Sequence, residues 1–380
     1  MRHPYGAPAR VGVYSLKLSA YRNYPSFAVE FTGRHVVFTG HNGAGKTNLL
    51  EALSFLAPGR GLRRVPYADL IAHGTTGPAT IFARLQSPLY DEVNLGVAWQ
   101  NDEASRIVRI NGASSSVDGL ADYCRIISLT PAMDGLFTGP ASERRRFLDR
   151  LVYTVDPQHG RRVADYEKAM RARNRLFRER KGDARWFEGI EVQIATLGVA
   201  IAAARLDLWR HFDQLLKNLP YSEAFPRVSL RLEGELESAL TTAPALEVEE
   251  AFMHRLARER HLEGFYGSVM QGPHRSDLLV YYADKNMPAA HCSTGEQKAL
   301  LTGLILAYAV LIENLVGFTP LLLLDEVAAH FDPSRRVALF TVLDELGAQA
   351  FMTGTDPYLF GALEGQADFF EIKAGEALAR

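Results

Sequence analysis

At 380 residues, with 47% hydrophobic and 23% charged residues, the chain is long enough for roughly two domains and has ample apolar material for their cores. A formal net charge of −2 gives no global attraction for polyanions, and two cysteines, Cys124 and Cys292, provide neither a disulfide framework nor a metal-ligand spacing. No run approaches the ~18 uninterrupted apolar residues of a membrane span; the leader Met1–Gly6 lacks an apolar signal core, so a cytoplasmic protein without membrane association is expected.

In chain order, Val13–Leu18 alternates like an edge or half-buried strand. Val36–Thr39 is a short β-prone run, and Asn48–Leu56 has helical spacing of its large apolar residues. Between them, Gly40-His41-Asn42-Gly43-Ala44-Gly45-Lys46-Thr47 fits the phosphate-loop pattern G-x-x-x-x-G-K-[ST]. A strand, a glycine turn and a helix N-terminus direct backbone N–H groups and the positive end of the helix dipole at phosphate oxygens. Lys46 is expected to reach the β- and γ-phosphates of ATP, and the Thr47 hydroxyl to bind Mg²⁺. Three β-prone runs follow, Ala79–Leu85, Asn94–Trp99 and Arg106–Ile110, the last leading into the hairpin signal Asn111-Gly112. They predict an antiparallel meander beside the nucleotide sheet.

From Asp118 to Leu262 helical signals dominate: Ala141–Val152, Arg162–Lys181 and Trp186–Leu219, the last with Ile190, Ile194, Leu197, Ile201 and Leu208 on one face. This block (118–262) predicts a mostly helical second lobe inserted into an α/β head made of 1–117 and 263–380. Positive charge concentrates in it at Arg144–Arg146, Arg161, Arg162, Arg171, Arg173, Arg175, Arg178, Arg180, Lys181 and Arg185. Arg171, Arg175 and Arg178 share one helix face, which suits sequence-independent contacts to duplex DNA phosphates. The alternative is a solvated face partly paired with Glu167 and Glu179. No interleaved aromatics point to base stacking.

The remainder returns to α/β character, with a strand at Leu278–Tyr282, helices at Gly295–Leu315 and Ser334–Leu346, and a strand at Ala350–Thr353. Gly303–Ile312, the most apolar stretch, is stopped by Glu313 and Asn314 and reads as a buried helix. Leu321–Leu324 is an apolar run closed by Asp325 and Glu326, as in a strand buried on both faces whose charged end emerges at the carboxyl edge. Ligands of open α/β sheets bind at that edge. Asp325 is then the metal-side carboxylate and Glu326 the general base; the alternative is that the pair caps the following helix. Ser293-Thr294-Gly295-Glu296-Gln297-Lys298 opens the preceding helix and reads locally as an ordinary N-cap. Its position before the Asp-Glu pair also matches the signature segment of ABC-type ATPases, and Ala328–Asp332 resembles their D-loop.

The order of these parts resembles an ABC-type ATPase head. Within that class the chain resembles the RecF family of recombinational-repair ATPases, related to SMC heads, over nearly its full length. The resemblance rests on Tyr21-Arg22-Asn23-Tyr24, the phosphate loop through Ala52, Gly139–Asp149, Tyr166-Glu167-Lys168 with Arg173-Asn174, Gly272–Leu278 and Leu324–Asp332. Pro131-Ala132-Met133-Asp134 carries an extra residue where the family has Pro-Glu-Asp. The resemblance implies an ATP-dependent, head-to-tail homodimer in which Ser293 and Gly295 of one subunit, with Asp332 of the D-loop, complete the nucleotide site of the other. It implies action at single-strand gaps beside duplex DNA, helping RecO and RecR load RecA, with slow, DNA-stimulated hydrolysis releasing the dimer. Where ABC transporters carry a switch histidine, this chain has none, and Thr353 or Thr355 is expected to substitute. His330 either supports the catalytic water or packs. A nucleotide-binding subunit of a membrane transporter is the competing reading. The helical insertion, the absent histidine and Ser-Thr-Gly in place of Ser-Gly-Gly weigh against it.

Overall fold

The structure, a computed structural model, describes residues 10–72, 74–75, 77–87, 90–99, 106–179, 184–219, 224–262, 269–373 and 375–379. The leader Met1–Gly6, Arg180, Lys181 and the expected domain boundary at 263 lie outside the described residues, as does the His330 side chain. The chain divides into two units, one of residues 1–134, 221–226 and 293–380, the other of 135–220 and 227–292.

The first unit is the α/β head. Its N-terminal part carries strands β1 (Gly12–Tyr21), β2 (Tyr24–Glu30), β3 (His35–Thr39), β4 (Ala79–Ser87), β5 (Tyr90–Trp99), β6 (Ile107–Ile110), β7 (Ala113–Ser115) and β8 (Ile126–Leu129). The second unit contributes β9 (Val228–Glu233), β10 (Asp277–Tyr282) and β11 (Met287–Pro288). The head ends with β12 (Leu321–Leu324), β13 (Ala350–Gly354), β14 (Ala367–Lys373) and β15 (Glu376–Ala379).

The expected meander is an antiparallel six-stranded sheet in the order β2-β1-β4-β5-β6-β7. Alternate residues of β4 are buried, as a sheet with one covered face requires. β1 is not an edge strand: β2 and β4 pair with it on both sides. The nucleotide sheet has the order β15-β14-β3-β13-β12-β8, parallel except for β15. Every residue of β3, β12 and β13 is buried, so these strands read as continuous apolar runs in the sequence. One apolar cluster joins the two sheets, with Phe31, Phe38, Phe351 and Phe370 packed edge-on, tilted or, for Phe38 and Phe351, stacked within it.

Buried at the start of β3, His35 donates through Nε2 to Asp344 (3.0 Å) and accepts the Ala350 N–H on Nδ1 (3.1 Å). Burial lowers its pKa, with Asp344 opposing. Its folded value therefore lies below the unfolded one of about 6.5, so its contribution is intact above that pH and stability falls as pH drops through it. The urea midpoint should be lower at pH 5.5 than at 7.5; an equal midpoint would contradict this.

The second unit holds helices Ala141–Val155, His159–Glu179, Ala184–Asn218, Glu235–Ala239 and Ala245–Arg258 with the three-stranded antiparallel sheet β11-β10-β9. Ile194 and Ile201 are buried against Tyr166, Phe252 and Leu256, with Ile190 and Leu197 partly buried beside them.

Two expected boundaries are corrected. The lobe does not begin at 118, because β8 pairs in parallel with β12 and belongs to the head. Nor does the head resume at 263, because Leu278–Tyr282 pairs with β9 inside the second unit, and the head resumes at Ser293. Pairing partners, not local composition, decide both. Among the described residues, two helices, Ala184–Asn218 and Thr294–Val316, are by length and composition alone long and apolar enough to cross a membrane. In Thr294–Val316, Leu300, Leu304, Ile305, Tyr308 and Ile312 are buried within the head, as the core reading expects.

Candidate functional site

The phosphate loop leaves the buried end of β3 and enters the helix Lys46–Ser54. Gly40 has φ +142 and Gly45 φ +108. A Cβ on Gly40 would lie 2.6 Å from the Ile372 carbonyl oxygen, and one on Gly45 would lie 2.5 Å from both Asn23 Nδ2 and the Tyr24 hydroxyl. Only glycine fits both the backbone and the space there. His41, Asn42 and Gly43 form the exposed tip, and Ala44 is half-buried. The Lys46 ammonium folds back over the loop, donating to the carbonyls of Gly40 (2.7 Å) and His41 (2.9 Å). Burial lowers its pKa, opposed by the carboxylates of Glu326 and Asp325.

The second motif reaches the same place from the far end of the chain. The Thr47 hydroxyl donates to Asp325, with its oxygen 3.0 and 3.2 Å from the two carboxylate oxygens. Asp325 is buried, and its N–H donates to the Leu129 carbonyl at the end of β8 (2.9 Å). The chain then turns sharply at Glu326, whose φ of +54 is left-handed. Glu326 precedes a short 3₁₀ turn, Val327–His330, and its side chain makes no capping bond. The next α-helix, Pro333–Leu346, is capped instead by Asp332, so the helix-cap alternative for Asp325-Glu326 finds no support. Thr353, near the end of β13, is expected from the sequence only as a substitute for a missing histidine. It is fully buried, donates to Asp325 Oδ1 (2.7 Å) and accepts the Glu326 N–H (2.9 Å). Thr355 is exposed.

The Tyr21-Arg22-Asn23-Tyr24 segment supports the loop from behind. Arg22 makes a bidentate pair with Glu51 of the loop helix (2.8 and 2.9 Å), whose side chain is 1% exposed. The Tyr21 hydroxyl donates to the same carboxylate (3.2 Å), and Arg63 stands 3.7 Å away. Asn23 accepts from Asn48 (2.6 Å) and donates to the Ala44 carbonyl (3.4 Å). A segment that carried no chemistry in the sequence thus anchors the loop and its helix.

Ser293, Thr294 and Gly295 are exposed at the start of the helix Thr294–Val316. Ser293 and Glu296 form a capping box: Glu296 accepts from the Ser293 N–H (2.9 Å) and hydroxyl (2.8 Å). Within one chain, then, the ordinary N-cap is what the geometry displays. A Cβ on Gly295 would meet no atom within 4 Å. Asp332 accepts from the Arg335 N–H (3.0 Å) and the Ser334 hydroxyl (2.5 Å), and these bonds lower its pKa. The Pro131–Met133 segment is a 3₁₀ turn after β8, and Asp134 pairs with Lys298 (3.0 Å). Both border a small cleft lined by Leu129, Thr302, Asp325 and Phe331.

In the second unit, Arg171, Arg175 and Arg178 are all exposed on the helix His159–Glu179, and among the described residues Arg171 has only a long ion pair to Glu167 (3.6 Å). Three arginines grouped with them in the sequence are structural. Arg173 is 0% exposed, bound to Glu191 (2.9 Å) and the Leu256 carbonyl (2.8 Å). Arg144 is bidentate to Asp277 (2.8 Å each), and Arg145 donates to the Ser276 carbonyl (2.9 Å). The motifs Gly139–Asp149 and Gly272–Leu278 meet in this network. Asp149 holds Arg205 through two bonds (2.8 and 2.9 Å) and His159 through one (2.8 Å), while Arg205 also donates to the Pro273 carbonyl (2.6 Å). Burial pushes the Asp149 pKa up, but His159 and Arg205 outweigh it and hold it at about 2. Such charges are legible in sequence only as charges; their burial depends on partners from distant segments.

Comparison with known proteins gives one consistent family. Residues 12–374 match the model of the RecF/RecN/SMC N terminal domain. The DNA replication and repair protein RecF of Mesorhizobium japonicum is 52% identical over 97% of this chain and 98% of its own length. That of Brucella suis is 52% identical over 97% and 96%. Among solved structures, the recombination mediator protein RecF-ATPrS in the RecFOR pathway superposes with a TM-score of 0.86 at 21% identity, covering 98% of this chain and 99% of that one. A Smc head domain from Pyrococcus furiosus, bound to the C-terminal domain of ScpA, matches with a TM-score of 0.51 at 15% identity over 97% and 96%. The ABC-type ATPase head expected from the order of motifs is therefore the fold, and the chain belongs to the RecF family of DNA replication and repair proteins.

Proposed function

We propose that the chain is a DNA-binding ATPase of recombinational repair and replication-fork maintenance, which closes as a homodimer around two ATP molecules and is released from DNA by hydrolysis. The observation that carries this reading is the hydrogen bond from Thr47 to Asp325, residues 278 positions apart, which unites the phosphate loop with the carboxylate strand. A hydroxyl and a carboxylate are the hard oxygen ligands Mg²⁺ takes, alongside waters and nucleotide phosphates.

Thr47 and Asp325 would hold that Mg²⁺, which neutralises developing phosphate charge. The loop N–H groups and Lys46 bind the β- and γ-phosphates. Glu326 takes the proton of the water that attacks the γ-phosphorus, the bond to the bridging β–γ oxygen breaks, and ADP and phosphate form. Ser293 and Gly295 lie exposed at a helix N-terminus, where a γ-phosphate of a second copy is favourably met. Asp332 contributes to that interface as part of the D-loop. Loss of the γ-phosphate then loosens the dimer.

DNA is read through its backbone by the face of Arg171, Arg175 and Arg178, which is exposed and weakly paired. Gapped DNA with a single-strand to duplex junction is the substrate, and RecO and RecR are the partners through which RecA is loaded, in line with the pathway named for the matched RecF structure. A cytoplasmic site of action follows from these partners. The transporter reading gains nothing from the two relatives described above, both of which carry the repair name.

Light-scattering mass in solution without nucleotide, with ADP and with ATP, each with and without gapped DNA, tests the reading. A dimer is expected with ATP alone among the three, strengthened by DNA. The Arg171→Glu/Arg175→Glu variant should dimerise normally yet show a shallower salt dependence of DNA binding. A protein monomeric in every condition would sink the dimer, and an unchanged salt slope would remove that face.

A further inference from the structure

Thr353 is 0% exposed on β13, the strand that lies between β3, which feeds the phosphate loop, and β12, which ends in Asp325. A buried hydroxyl has one hydrogen to donate and lone pairs to accept with. Here the hydrogen goes to Asp325 Oδ1 (2.7 Å) and the Glu326 N–H is accepted (2.9 Å). Both bonds bear on groups with little freedom of their own. Asp325 Oδ1 also faces the Thr47 hydroxyl (3.0 Å), so Thr353 and Thr47 converge on one oxygen and orient the carboxylate plane. Glu326 sits at φ +54, a conformation sparsely populated by residues with a side chain and retained where surroundings enforce it.

We infer that Thr353 is a positioning residue for ATP hydrolysis: its single hydroxyl sets the orientation of the Asp325 carboxylate and the backbone turn that aims Glu326. This rests on Asp325 and Glu326 being the metal-side carboxylate and the general base. It gives a specific role to a residue expected to stand in for a switch histidine: its hydroxyl bonds the Asp325 carboxylate and the Glu326 N–H. Catalytic geometry is steeply sensitive to small displacements, so loosening Glu326 lowers turnover more than it lowers nucleotide affinity.

The test uses the full-length protein with gapped DNA and compares Thr353→Val, Thr353→Ala and Thr353→Ser. Removing a bond to a charged group predicts a kcat lower by about tenfold to a hundredfold in Thr353→Val, with KM for ATP within about threefold of the parent. Thr353→Ser keeps the hydroxyl and should recover most of kcat. Thr353→Ala, which loses the hydroxyl without introducing a second methyl, should match Thr353→Val, so poor folding of one leaves the other decisive. A kcat within about twofold of the parent in either folded variant would overturn the inference, as would Thr353→Ser falling as far as the other two. Glu326→Gln measured alongside separates the two levels. Parent-like hydrolysis in that variant would sink the underlying assignment of Glu326, whereas an inactive Glu326→Gln with a normal Thr353→Val would sink the positioning role alone.

Discussion

Glu326→Gln should bind ATP as tightly as the parent, lose hydrolysis by about a hundredfold or more, and accumulate as an ATP-bound dimer. The substitution keeps the shape of the side chain and removes its negative charge and its capacity to take a proton. The backbone bond from the Glu326 N–H to Thr353 is untouched, so the turn at φ +54 survives. General-base catalysis contributes about 10²–10⁴ in rate, which sets the size of the effect. The contacts proposed for Lys46, Thr47 and Asp325 are untouched, so affinity should be preserved. If the γ-phosphate bridges two copies, blocking its removal holds the dimer closed. Phosphate release and light-scattering mass read the two halves separately. A variant that stays inactive but monomeric in ATP would keep Glu326 as the base and remove the dimer from the reading.

The second large effect is on stability. Arg22→Met is expected to destabilise the head by about 3–5 kcal/mol, the usual cost of leaving a buried charge without its partner. Glu51 would retain only the Tyr21 hydroxyl at 3.2 Å and the more distant Arg63 at 3.7 Å, with its own side chain 1% exposed. Because Glu51 lies on the helix that begins with Lys46, the same change should weaken ATP binding without touching a phosphate contact. Replacing both partners, Arg22→Met with Glu51→Leu, should recover much of the loss, since an apolar pair of similar volume often equals a buried ion pair. Urea unfolding of the single and double variants measures this. A single variant within about 1 kcal/mol of the parent would show that Tyr21 and Arg63 suffice to hold the carboxylate.

Some of this protein is written locally. The phosphate loop needs glycines where the backbone turns left-handed, and a lysine and hydroxyl just inside a helix, so its identity survives without any knowledge of the fold. The strand Leu321–Leu324 is buried on every residue, and its apolar run followed by two acids is visible for that reason. The long helices are legible because their apolar spacing repeats over many turns. Strands such as β14 are not, because Asp368, Glu371 and Lys373 dilute their pattern and pairing with β3 supplies the register. β2 contains Pro25, and it too is defined by its partner.

The sequence by itself determined the local signals: a phosphate-loop pattern between a strand and a helix, two acids closing a buried apolar run, and the family the motifs resemble. Only the tertiary structure decided the domain boundaries, the burial of Arg144 and Arg173 beside exposed Arg171 and Arg175, and the place of Thr353 between two acids. The physical reason is range. A phosphate loop is made by backbone dihedrals of neighbouring residues, whereas a buried charge or hydroxyl is defined by a partner that can lie anywhere in the chain, as Asp277 does for Arg144, 133 positions away.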